Sequence, residues 1–63
     1  MKIVDAIRRA FDERNLRMGA AIADRLWFRY GVTYNQIEAL AGQAGIDKAD
    51  WAEFMTDVDN ADH

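Results

Sequence analysis

The chain has no cysteine, no proline and no serine, and each absence narrows what its 63 residues can do. Without cysteine there is neither a disulfide nor a thiolate metal site, and without serine as well the two commonest nucleophiles are missing. The one histidine is the terminal His63, no His/Cys/carboxylate set has ligand spacing, and no glycine-rich phosphate loop occurs. Catalysis, cofactors and metals are therefore not expected. No apolar stretch approaches the roughly 18 residues that a membrane span requires. Asp5 stands where a secretory leader would place its apolar stretch. The chain reads as complete from Met1, with no membrane contact, and a cytoplasmic location is expected.

What is present is 51% hydrophobic and 30% charged, a globular rather than a disordered composition. A domain this short buries only about 60% of the surface its unfolded chain exposes, which leaves no room for a catalytic cleft. Net charge is −3, but its distribution is uneven. Residues 1–30 hold seven Lys or Arg against four Asp or Glu, a net +3, whereas residues 31–63 hold Lys48 against seven acids, a net −6. Such a dipolar surface can pair within the fold, pair between copies, or draw a basic partner to one side.

With no proline, and glycine only at 19, 31, 42 and 45, the punctuation predicts a few helices rather than the frequent turns of a β domain. The expected fold is all-α: a compact bundle of three to four short helices over residues 1–58, followed by a frayed acidic tail at 59–63. Ile3, Val4, Ile7 and Phe11 share one helical face, predicting a first helix over roughly 2–14. From Leu16 onward the apolar set Ile22, Ala23, Leu26, Trp27 and Tyr30 is rotated by on the order of 120° from that face. A break is therefore expected near Asn15, a residue that tolerates the left-handed conformation, with a second helix from about 17 to Gly31. One long helix through residue 30 is the alternative.

The second half carries clearer signals. Thr33 and Gln36 have the spacing of a capping box, with Val32 and Ile37 as a hydrophobic staple, and Gly45 closes the helix they begin. The grammar repeats with Asp47 as N-cap, Asp50 three residues on, and Ile46 with Trp51 as the staple pair. Trp51, Phe54, Met55 and Val58 then form one inward stripe on a helix over roughly 48–58.

Two short helices joined by Gln43-Ala44-Gly45-Ile46 resemble a helix-turn-helix, the DNA-binding unit of repressors, at Gln36, Leu40, Ala41, Gly45, Ile46, Trp51 and Phe54. The resemblance covers about 20 residues and implies a DNA-binding regulator. The residues that would read DNA depart from the pattern. The second helix exposes Lys48, Asp50, Ala52, Glu53, Thr56 and Asp57, one cation against three acids, and such a surface repels phosphate. A DNA-binding role would have to contact the backbone through the cations of the first two helices, Arg8, Arg9, Arg14, Arg17, Arg25 and Arg29, the first four above all, and it is the alternative expectation.

Asp50, Glu53 and Asp57 recur on one outward stripe, with Glu38 and Asp47 as possible neighbours. The plain reading is a solvated face. The sharper reading is a surface whose carboxylates stand where phosphates would lie, fitted to a basic nucleic-acid groove on a partner protein. In size, charge and class the chain resembles the small inhibitors that phages carry against host nucleic-acid machinery, anti-CRISPR proteins among them. With Trp27 and Tyr30 facing the core beside Leu26, Phe28 projects outward as a candidate anchor for a partner or for a homodimer, unless a shifted helix axis buries it. The expected function is a non-catalytic protein-binding module.

Overall fold

The computed structural model describes residues 2–61 and contains four helices: α1 (Ile3–Asp12), α2 (Leu16–Tyr30), α3 (Tyr34–Gln43) and α4 (Lys48–Ala61). The chain folds as an all-α bundle measuring 26 × 25 × 21 Å, and the single long helix through residue 30 is excluded.

The break between α1 and α2 is where it was expected, but its chemistry differs. Arg14, not Asn15, takes the left-handed conformation, at φ 50°. The amides of Asn15 and Arg14 bond back to the carbonyls of Ala10 (2.9 Å) and Phe11 (3.1 Å). This pair of bonds is the Schellman closure that usually recruits glycine. Asn15 is extended and its Oδ1 accepts from the Met18 amide at 3.0 Å, capping α2. An asparagine side chain serves better as an acceptor for the next helix than as a tolerant backbone. The Arg14 guanidinium lies 4.2 Å from the centre of the Phe11 ring, a cation–π contact that offsets part of the backbone cost.

Gly31, at φ 64°, ends α2, and the capping box of α3 forms as predicted: the Thr33 amide donates to Gln36 Oε1 at 2.8 Å and the Gln36 amide to Thr33 Oγ1 at 3.4 Å. Gly45, at φ 82°, closes α3 with the same Schellman pair seen after α1: Ile46 bonds to the Ala41 carbonyl and Gly45 to that of Gly42, both at 3.0 Å. Asp47 Oδ2 accepts from the Ala49 amide at 3.1 Å and opens α4. That helix runs to Ala61, three residues past its expected end, so residues 59–61 of the expected tail are helical; residues 62–63 lie outside the described part.

The core is the inward stripe of α4 wrapped by the other three helices. Trp51, Phe54, Met55 and Val58 are all buried, together with Ile7 and Ala10 from α1, Leu26 from α2, Ile37 and Ala41 from α3, and Ile46. Phe54 is held edge-on to Phe11 at 5.7 Å and tilted against Trp51 at 5.4 Å. Alpha-2 reaches α4 at Gly19, where a Cβ would stand 2.9 Å from Phe54 Cε2 and 3.1 Å from Val58 Cγ2. Gly19 thus serves a close crossing inside the molecule.

One expectation about the core fails. Trp27 and Tyr30 do not face inward with Leu26; they are 57% and 67% exposed. The inner line of α2 runs through its buried residues Gly19 and Leu26, seven apart. Trp27 is turned about 100° from that line. Tyr30 sits on the last turn, one residue before the chain leaves the helix at Gly31.

Candidate functional site

The five candidate acids separate into three settings. Glu38 Oε1 lies 3.4 Å from Lys48 Nζ, an ion pair that ties α3 to α4. Asp47 is occupied as the cap of α4. Asp50, Glu53 and Asp57 remain together on the outer face of α4, exposed, and line a recess of about 150 Å³ with Arg14 and Phe54. None of these three has an ion-pair partner within 4 Å among the described residues. The α4 stripe therefore keeps three carboxylates beside one guanidinium, itself turned onto the Phe11 ring. Glu38 lines a different depression, with Asn35 and Lys48.

Of the arginines considered for nucleic acid, Arg25 and Arg29 share one recess with Asp24 and Phe28, whereas Arg8, Arg9, Arg14 and Arg17 are not gathered into a track. Arg8 Nε donates to Asp12 Oδ2 at 3.1 Å while its Nη1 donates to the Ala44 carbonyl at 3.3 Å, so it pins α1 to the end of α3. Arg9 Nε donates to Glu13 Oε2 at 2.8 Å. Arg14 belongs to the acidic recess, and Arg17 lies with Leu16, Ala20, Val58 and Ala61 at another corner. On α4, in the position of a recognition helix, the sole cation Lys48 is committed to Glu38.

Phe28 projects from α2 as expected, 82% exposed, between Asp24, Arg25 and Arg29. It is not alone. Trp27, Tyr30 and, at the start of α3, Tyr34 are also exposed, so aromatic side chains surround the junction of α2 and α3. The sequence does carry a signal for this group, the run Trp27-Phe28-Arg29-Tyr30, since no helix can turn three neighbouring positions to one side. Tyr34 is the most enclosed of the four. Burial first, and then the carboxylates of Glu38 and Asp59, raise its phenol above the ordinary value of 10.0.

Among the described residues no group of three or more His, Cys, Asp or Glu is placed to hold a metal ion, and no helix is long and apolar enough to cross a membrane. The chain matches no family model, no curated protein and no solved structure.

Proposed function

We propose that the protein is a non-catalytic protein-binding module, an inhibitor or regulator of the kind carried by phages and mobile elements, which presents the outer face of α4 to a basic nucleic-acid groove on a partner. The observation that carries this reading is the segregation of acids on α4: Asp47 and Glu38 are used by the fold, whereas Asp50, Glu53 and Asp57 share one exposed recess without an ion pair. Carboxylates on one rigid helix face act as a fixed negative patch, which steers and orients a cationic surface. The same patch repels duplex DNA, and Arg8 and Arg9 are taken up in ion pairs while Arg14 is turned onto the Phe11 ring.

The test uses the immobilised protein and the heparin-binding fraction of a bacterial extract. Retained proteins are expected to be released by competing duplex DNA, and Asp50→Lys/Glu53→Lys/Asp57→Lys is expected to retain none while keeping its helical content, because exposed charges contribute little to stability. Unchanged retention by the triple variant refutes the acidic-face reading. Salt-sensitive binding of the chain itself to duplex DNA at micromolar concentration supports a DNA-binding regulator instead.

A further inference from the structure

An apolar groove of about 780 Å³ lies between α1 and α2. Ile3 and Ala6 form one wall; Met18, Ile22, Leu26 and Tyr30 form the other. From Met18 to Tyr30 it follows α2 for about 18 Å, the length of a helix of three turns. Isoleucines 3 and 22 and Met18 are only partly covered by the fold, so apolar surface is left facing solvent along this line.

Arg25 is the sole charged residue among those lining the groove, and it also lines the neighbouring recess with Asp24, Phe28 and Arg29. Lys2, next to Ile3, is exposed. Arg25 has no ion-pair partner within 4 Å among the described residues, and neither the acids Asp5 and Asp24 nor the cations Lys2 and Arg29 line the groove.

We propose that this groove receives an amphipathic helix from another protein, with apolar residues on its inner face and an acidic flank that meets Arg25. A helix laid in a groove anchors through side chains at i, i+3, i+4 and i+7, which the groove's length accommodates. Charge complementarity selects the acidic flank. The acidic face of a second copy's α4 does not suit the groove, since it exposes Asp50, Glu53, Thr56 and Asp57 but no large apolar side chain. The proposal goes beyond the acidic-face function and does not rest on it.

Amide chemical shifts of the isotopically labelled chain provide the test, in titration with two synthetic peptides of about 15 residues. Both carry leucine at helical spacing; one is flanked by glutamate and the other by lysine. The glutamate peptide is expected to shift residues 3, 6 and 18–30, with the lysine peptide at least about tenfold weaker, and Arg25→Glu is expected to weaken the glutamate peptide by about tenfold. Arg25 is exposed, so unchanged shifts elsewhere report an intact fold in that variant. Asp50→Lys/Glu53→Lys/Asp57→Lys is expected to leave this binding unaltered, which separates the two surfaces. The proposal is overturned by absence of shifts, by shifts centred on α4, or by equal binding of both peptides. It is equally overturned if the groove residues shift on concentrating the protein alone, or respond more strongly to single-stranded DNA or anionic vesicles.

Discussion

Two sets of aromatic side chains in this small bundle have opposite fates. Trp51 and Phe54 pack against each other in the interior with the partly buried Phe11 edge-on to Phe54, whereas Trp27, Phe28, Tyr30 and Tyr34 lie exposed near the junction of α2 and α3. Hydropathy does not separate them, since each set contains a tryptophan and a phenylalanine. The difference is that α4 is covered on its inner side by the other helices, while the last turn of α2 has none beyond Leu26 to cover it. Stability is expected to reside in the first set and recognition in the second, together with the acidic face of α4.

The strongest way to break that division is to truncate one tryptophan from each set. Trp51→Ala should cost roughly 3–5 kcal/mol, comparable to the whole stability of a domain this size, and leave a largely unfolded chain by circular dichroism. A cooperative melt within a few degrees of wild type would show that Trp51 does not organise the core. Its indole Nε1 is buried without a hydrogen-bond partner, so the loss is of packing and not of a polar contact.

Gly19→Ala sharpens the comparison from the side of α2. Its Cβ would press on Phe54, whose ring is already held by Phe11 and Trp51. Overpacking of about 1–3 kcal/mol should exceed the gain of up to about 1 kcal/mol that alanine brings to a helix interior. A denaturant midpoint above that of wild type would place α2 farther from α4 than described here.

Trp27→Ala and Phe28→Ala should each change unfolding free energy by no more than about 0.5 kcal/mol, because neither ring completes the core. A loss above about 2 kcal/mol in denaturant titration would move that residue into the stabilising set.

Tyr34 gives the smallest effect. Its raised phenol pKa means that, above about pH 10, the unfolded chain releases a proton that the folded chain still holds, so stability should fall as pH rises through that range and be unaffected by this group below it. Comparing alkaline denaturation of wild type with Tyr34→Phe checks the sign: the variant should lose less stability above pH 10.

Much of this was legible along the chain. The capping box at Thr33, the glycines that end α2 and α3, and the buried stripe of α4 follow from local rules that link residue type to backbone conformation over three or four positions. The closure of α1 was not legible, because it puts Arg14 where a glycine would have advertised the turn. Nor was the division among the acids: Asp47 could be recognised as a cap, but the pairing of Glu38 with Lys48 depends on how α3 and α4 are set against each other.

By itself, then, the order of residues determined which segments are helical and which direction most side chains take around each axis, since both depend on interactions within a single turn. Only the tertiary structure decided how far along α2 its neighbours reach, and so left Trp27 and Tyr30 in solvent and opened an apolar groove beside α1. Periodicity specifies an angle about a helix, but burial also needs another helix at the same height, and that partner is supplied by residues distant in sequence.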